Sequence, residues 1–135
     1  MNVIKKFYCR AYQTVFRAAL PLLPYREPEI MHSVNDVASL TDKLGVKSVM
    51  LVTDSGLRGA GITAPLEKLL EEHGVKCVVY DKTRANPTVA NVEEALRLYN
   101  QENCGCLIAF GGGSSMDCAK AIGARVAYPK KPLSK

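Results

Sequence analysis

The residues with the clearest chemical potential form a glycine-rich turn late in the sequence. An apolar run that ends at Phe110 leads into three glycines and then into a segment with helical spacing, FGGGSSMDCAK (110–120). Glycines let a ligand approach the backbone amides, and a helix start supplies unpaired N–H groups and a positive dipole end. The pattern predicts a phosphate-binding turn over Gly111–Ser114. The alternative is an ordinary strand-to-helix turn capped by Ser114 or Ser115.

Carboxylates follow the two earlier apolar runs of strand length. Asp54 comes after residues 48–53 in VTDSG, and Asp81 comes after residues 76–80. Because parallel α/β sheets bind ligands at the carboxyl ends of their strands, both acids and the glycine turn are expected on one side of a sheet. Asp54 is a candidate acceptor for a ribose diol, with a turn residue before Gly56 as the alternative. Asp81 is expected only to begin the loop DKTRANPT.

Asp117 and Lys120 lie just beyond the glycine turn, within a helix predicted over about residues 115–127. A carboxylate in the first helical turn suits the helix dipole, but it also competes with a phosphate for the same field. Capping is therefore the favoured role of Asp117, which stays among the candidate cofactor-binding residues because of its position. Lys120 is expected to pair with Asp117 or to remain solvated. Neither residue is predicted to be catalytic.

The spacing of apolar residues predicts alternating helices and strands. Helices are expected over about 34–44, 62–73, 89–102 and 115–127, and strands over about 48–53, 76–80 and 106–110. Uniformly apolar strands between amphipathic helices are typical of an α/β fold whose parallel sheet is covered by helices on both faces. The glycines follow the third strand, whereas the ordinary dinucleotide fingerprint follows the first.

Three segments together resemble a known family. VTDSGL (52–57), ANPT (85–88) and FGGGSSMDCAKAIG (110–123) are similar, in order and spacing, to the N-terminal nucleotide-binding domain of iron-containing (group III) alcohol dehydrogenases. The resemblance implies a Rossmann-like domain similar to that of dehydroquinate synthase, a distant relative. It implies that Gly112, Gly113 and Ser114 hold the pyrophosphate of NAD, that Asn86 lines the cofactor cleft, and that Asp54 faces the adenosine ribose. A carboxylate there favours NAD over NADP, because it accepts from a 2′-hydroxyl and repels a 2′-phosphate.

The resemblance also implies an activity that needs more than these residues. Members of the family interconvert small alcohols and aldehydes, and a helical domain supplies an Asp and three His to iron or zinc. Here the only histidines are His32 and His73, without the spacing of a metal site. The metal is therefore expected only in a full-length enzyme, and this chain alone is expected to bind cofactor without turnover. The alternative is a stand-alone, non-catalytic nucleotide- or phosphate-binding module.

Charge and cysteine content restrict the other function classes. The net charge of +5 comes from the two ends, because residues 31–127 sum to −1. The nearly neutral charge of residues 31–127 and the lack of a recognisable nucleic-acid-binding motif argue against nucleic-acid binding. Five cysteines without framework spacing indicate reduced thiols and a cytoplasmic location. The expected organisation is a basic helix and proline-bearing connector over 1–29, a nucleotide-binding domain over 30–128 and a basic tail over 129–135.

The N-terminal segment has the pattern of an amphipathic helix over residues 1–20, which Pro21 and Pro24 end. We expect its apolar side to be buried against protein, either its own domain or another subunit of a homo-oligomer. The side chains expected to be buried are Ile4, Phe7, Ala11 and Val15. Because the polar side is basic, attachment to a membrane surface is the alternative.

Overall fold

The computed structural model describes residues 3–22 and 29–130. The chain divides into two compact units, Met1–Met31 and His32–Lys135. The first contains one helix and a short 3-10 turn. The second contains a three-stranded sheet with helices and all of the candidate site residues.

The first unit forms the predicted helix, α1, over Val3–Ala19, and a 3-10 turn over Leu20–Leu22 continues it. Its aromatic side chains are solvent-exposed, and the rings of Tyr12 and Phe16 stack with centroids 6.2 Å apart. Phe7 is 76% exposed and Val15 is 69% exposed. The helix is confirmed, and the burial of its apolar side against protein stays a prediction.

The second unit alternates helices and strands as predicted. In chain order its elements are α2 (Val34–Lys43), β1 (Ser48–Val52), α3 (Ser55–Gly59), α4 (Ala64–Glu72), β2 (Lys76–Tyr80), α5 (Val89–Gln101), β3 (Cys106–Ala109) and α6 (Gly113–Ala127). The strands are parallel in the order β2-β1-β3. In the register, Val49 of β1 lies beside Cys77 on one side and Cys106 on the other.

Both faces of the sheet are covered, as the uniformly apolar strands predicted. Met50 and Val52 of β1 pack in a cluster with residues of α5 and α6, whereas Val49 and Leu51 pack in a second cluster with Leu66 and Leu70 of α4. This alternation follows from the pleat, because successive side chains of a strand point to opposite faces. All four of these β1 side chains are fully buried. The central strand therefore anchors the carboxyl-end loops to a double-sided core.

Local sequence signals explain where the helices begin. Ser33 and Asp36 form a reciprocal capping box at the start of α2. Thr88 caps α5 as predicted, accepting a hydrogen bond from the Asn91 amide. Two boundaries differ from the sequence prediction: a separate short helix, α3, precedes α4, and α6 begins at Gly113 instead of residue 115.

The cysteines are free thiols within a largely apolar setting. Cys104 and Cys118 are buried, while Cys9 is exposed. Burial raises the pKa of the Cys77 thiol to about 11, and burial also raises the pKa of Cys106. These thiols stay protonated near neutral pH, where only a thiolate would bind a metal or attack a disulfide. Cys77 and Cys106 are partly buried against the second apolar cluster and pack there as small apolar side chains.

Among the residues that the structure describes, no helix is long and apolar enough to cross a membrane.

Candidate functional site

The candidate residues meet at the carboxyl edge of the sheet. Asp54 follows β1, Asn86 lies in the loop after β2, and the glycine turn follows β3. Backbone hydrogen bonds continue past the strand ends. The Phe110 amide donates to the Val52 carbonyl at 2.9 Å, and the Thr53 amide donates to the Tyr80 carbonyl at 2.9 Å. The sheet thus holds the three loops side by side, as the sequence predicted.

Asp54 is the N-cap of α3. Its Oδ1 accepts hydrogen bonds from the amides of Gly56 at 2.9 Å and Leu57 at 3.0 Å. The turn role considered for Asp54 is therefore present in the structure. Both hydrogen bonds engage the same carboxylate oxygen, and the residue is partly exposed. A capping role and a ribose-binding role are thus compatible, because a carboxylate has about four acceptor positions on its two oxygens.

Glycine is favoured at each of the three positions of the turn for a different structural reason. Gly111 has a φ of +135°, and a Cβ placed there would lie 2.9 Å from Leu57 Cδ1 and 2.9 Å from Ser115 Oγ. A side chain at this position would strain the backbone and collide with α3. At Gly112 and Gly113, by contrast, no heavy atom lies within 4 Å of an added Cβ. Those two glycines border open space, which is what a ligand approaching the amides requires.

The start of α6 differs from the capped turn that was the alternative at the sequence level. Its N-cap is Gly112, in extended backbone, and no side chain of the described residues makes a capping hydrogen bond there. Ser115 is buried instead, at 2% exposure. A helix of 15 residues therefore points an uncapped, positive N-terminal end toward the open space beside the glycines.

Asn86 connects the loop after β2 to the glycine turn. Its backbone lies in the left-handed region, with a φ of 56°, a conformation that Asn adopts more readily than most residues. Its amide donates a hydrogen bond to Ser114 Oγ at 3.4 Å. The structure thus brings Asn86 and Ser114 together, although they are 28 positions apart in the sequence.

Asp117 requires a correction. The prediction placed it in the first turn of a helix that began at residue 115, but α6 begins at Gly113 and its first turn carries no acidic residue. Asp117 is exposed and pairs with Lys120 over 3.7 Å. It lies one turn beyond the N-terminal amides, so it does not cap the helix. The pairing with Lys120 agrees with prediction, and its energy is small at such an exposed position.

Two features of this edge were not predicted from the sequence. Arg58 of α3 forms an ion pair with Asp81, with Nη1 and Oδ2 2.9 Å apart, so Asp81 does more than begin its loop. Leu57 packs against the glycine turn at Gly111. The ion pair of Arg58 and Asp81 has no signature in the sequence, because the two residues are 23 positions apart and belong to different parts of the fold. An Asp followed by Ser-Gly was a usable signal for the N-cap of α3.

The described residues do not provide a metal centre. Within residues 3–22 and 29–130, no group of three or more His, Cys, Asp or Glu side chains could hold a metal ion. His73 instead contacts Asp42, with Nδ1 and Oδ2 2.6 Å apart on the surface. The iron or zinc that the resemblance implies therefore cannot be assigned to this part of the chain.

Comparison with known proteins agrees with this geometry. The sequence profile described as iron-containing alcohol dehydrogenase matches residues 30–135. The chain belongs to the iron-containing alcohol dehydrogenase family. It is 44% identical over 99 residues to choline dehydrogenase of Bacillus subtilis, covering 73% of this chain and 24% of that protein. It is 35% identical over 91 residues to NAD-dependent methanol dehydrogenase of Bacillus methanolicus, covering 67% of this chain and 24% of that protein.

The fold of this family member is also found among solved structures. A crystal structure of 1,3-propanediol oxidoreductase superposes with a TM-score of 0.70 at 32% identity, covering 74% of this chain and 26% of that chain. The family resemblance and the α/β fold with a helix-flanked parallel sheet are thereby confirmed. The chain spans about a quarter of the length of these relatives.

Proposed function

We propose that this alcohol dehydrogenase family chain binds the pyrophosphate of NAD through the glycine turn at the start of α6. The observation that carries the proposal is the open space at Gly112 and Gly113 beside an uncapped helix N-terminus. The oxygens of two phosphates at that position would accept hydrogen bonds from backbone N–H groups. Their negative charge would interact favourably with the helix dipole. The same positions leave room for the phosphates because they carry no Cβ.

The rest of the dinucleotide would follow the carboxyl edge of the sheet. Asp54 lies after the central strand, where Oδ2 can accept from the adenosine ribose while Oδ1 caps α3. Asn86 lies beside the glycine turn, because its backbone amide donates a hydrogen bond to Ser114 Oγ. Asp117, one turn along α6, faces solvent beside this region and is assigned only a peripheral electrostatic role.

In this proposal the chain is the cofactor-binding part of an enzyme that oxidises a small alcohol or reduces an aldehyde. NAD, when bound, supplies the hydride acceptor. The similarity to the NAD-dependent methanol dehydrogenase of Bacillus methanolicus supports NAD as the cofactor and a small alcohol as the substrate. Iron or zinc would be held outside the described residues. Membership of the family, together with 44% identity to choline dehydrogenase of Bacillus subtilis, favours this function over a non-catalytic phosphate-binding module.

Titration with NAD tests where the cofactor binds. We expect the backbone amides of residues 111–117 to show the largest NMR shift changes, because a phosphate changes the field at the N–H groups it accepts from. Smaller changes are expected at Asp54 and Asn86. ADP should perturb the same amides, whereas nicotinamide mononucleotide should perturb fewer of them.

A largest response at the opposite edge of the sheet would contradict the proposed site. The loop from α5 to β3, around Cys104, is a useful reference because it precedes β3, whereas the glycine turn follows that strand. Shifts concentrated there, with residues 111–117 unchanged at saturation, would show that the glycine turn has only a structural role.

The replacement Asp54→Asn tests the choice between NAD and NADP. Asparagine keeps an oxygen that can cap α3 but removes the charge that repels a 2′-phosphate. We expect the wild-type chain to prefer NAD, and the variant to narrow the ratio of the two dissociation constants by about tenfold, or 1.4 kcal/mol. Isothermal titration with both cofactors measures this ratio.

Asp54→Ala separates cofactor choice from helix capping. It should destabilise the chain by about 1 kcal/mol through loss of the cap, whereas Asp54→Asn should unfold close to the wild type. Equal affinity of the wild-type chain for NAD and NADP would rule out Asp54 as the discriminating residue.

A further inference from the structure

Helix α1 carries three of its four basic side chains on one side. Lys6, Arg10 and Arg17 recur at helical spacing, so they form one narrow cationic stripe together with Gln13. The remaining arc is mostly aromatic and aliphatic, and Lys5 lies within it, at a helical position between those of Tyr12 and Phe16. Its exposed large side chains are Phe7, Tyr8, Tyr12, Val15 and Phe16.

The exposure of this arc is unusual for a helix in water. Phe7 is 76% exposed and Tyr8 is 70% exposed, and even the stacked Phe16 is 49% exposed. Contiguous apolar surface of this kind marks a place where another phase or partner covers the protein. Among the candidates, the charges of α1 decide which one fits.

The charges of α1 are all positive. Residues 3–22 contain Lys5, Lys6, Arg10 and Arg17 and no Asp or Glu, and the first carboxylate in the chain is that of Glu27. We propose that α1 lies in the surface of a membrane that contains anionic lipids. Its aromatic arc would insert among the acyl chains, and its cationic stripe would face the lipid phosphates.

The composition of α1 fits the chemistry of that interface. Tyrosine is favoured at the boundary between headgroups and acyl chains, because its ring is apolar and its hydroxyl is polar. Long cationic side chains reach from the helix toward the phosphates. With 17 residues, α1 is about 25 Å long, and it is not apolar enough to span a bilayer. It would therefore lie in the membrane plane.

A second copy of the chain fits this surface less well. Two copies of α1 would bring together eight positive charges with no carboxylate on either helix to pair with them. Helices that associate in water ordinarily carry acidic and basic residues beside the apolar seam. A membrane that contains anionic lipids supplies the opposite charge.

Sedimentation with vesicles tests this inference on the full 135-residue chain. We expect binding to phosphatidylcholine vesicles that contain about 30% phosphatidylglycerol, and much weaker binding to pure phosphatidylcholine, since each basic residue near an anionic surface adds about fivefold in affinity. Raising the salt from about 0.1 M to about 0.5 M should weaken binding strongly, because the surface charges become screened.

Two sets of substitutions localise the effect. The triple variant K6Q/R10Q/R17Q should bind the anionic vesicles roughly a hundredfold more weakly. The triple variant K43Q/K47Q/K68Q removes the same charge from exposed positions of the second unit and should bind like the wild type. Phe7→Ser with Val15→Ser should reduce binding to both kinds of vesicle. The amide spectrum of residues 34–127 verifies that each variant is folded.

Three results would overturn the proposal. One is failure of the wild-type chain to sediment with anionic vesicles. Another is an equal loss of binding in the two charge variants. The third is a dimer in analytical ultracentrifugation that Phe7→Ser with Val15→Ser dissociates, without lipid binding, which would assign the surface to a second copy. NAD binding at the glycine turn is independent of all three results.

Discussion

Replacing Gly112 by valine is expected to weaken NAD binding by at least about a hundredfold while leaving the chain folded. Gly112 has an ordinary φ of −83°, and an added Cβ meets no heavy atom within 4 Å. The valine side chain would instead occupy the space proposed for the pyrophosphate. Loss of two charge-assisted hydrogen bonds, each worth about 1.5–3 kcal/mol, accounts for the expected magnitude.

Gly111→Ala is the matched control on the neighbouring residue. Its Cβ would lie 2.9 Å from Leu57 Cδ1, in a backbone conformation with a φ of +135°. We therefore expect Gly111→Ala to lower the free energy of unfolding by about 1–3 kcal/mol, whereas Gly112→Val changes it by about 1 kcal/mol or less through the cap position. Urea unfolding and isothermal titration measure the two quantities. Wild-type affinity in folded Gly112→Val would exclude the proposed pyrophosphate site.

The 135-residue chain is expected to bind NAD without reducing it in the presence of an alcohol, and to hold no stoichiometric iron or zinc. A catalytic metal site needs three or more convergent protein ligands, and the chain has two histidines, His32 and His73. His73 is paired with Asp42 on the surface. Without a group that stabilises the alkoxide and orients the alcohol, the rate should fall by many orders of magnitude.

Metal analysis and an activity assay check this expectation together. The purified chain is dialysed against iron or zinc, its bound metal is measured, and NAD reduction is followed with methanol, propanediol and choline. A full-length member of the family serves as the positive control. One equivalent of bound metal, or turnover comparable to that of the full-length protein, would show that the chain contains chemistry that we have not identified.

Strand positions and sheet type were accessible from the sequence because they depend on short-range patterns. Runs such as SVMLV and KCVVY are uniformly apolar and bounded by polar residues, so they predict buried parallel strands. Thr88 predicted the start of α5 because its side chain acts on the backbone three residues later. The glycine turn was found in the same way, and its position followed from the rule for carboxyl strand ends.

The features that were missed depend on contacts between distant elements. The special geometry of Gly111 involves Leu57 of α3, and the partner of Asp81 is Arg58. No local pattern encodes either contact. The wrong prediction at Asp117 has a local cause. Ser114 and Ser115 are residue types that favour an N-cap, whereas the helix starts earlier, at the uncapped Gly112. Likewise, the spacing in residues 1–20 predicted a helix, but spacing alone does not distinguish a protein partner from a membrane surface.

The central position of β1 has a consequence for synthesis of the chain on the ribosome. β1 is the first strand to be made, yet it pairs with β2 from Lys76 onward and with β3 from Cys106 onward. At about 5–20 residues per second, several seconds separate the appearance of β1 from that of its second neighbour. During this interval the segment SVMLV is exposed and apolar. It is the segment of this domain for which we expect the greatest demand for chaperone protection.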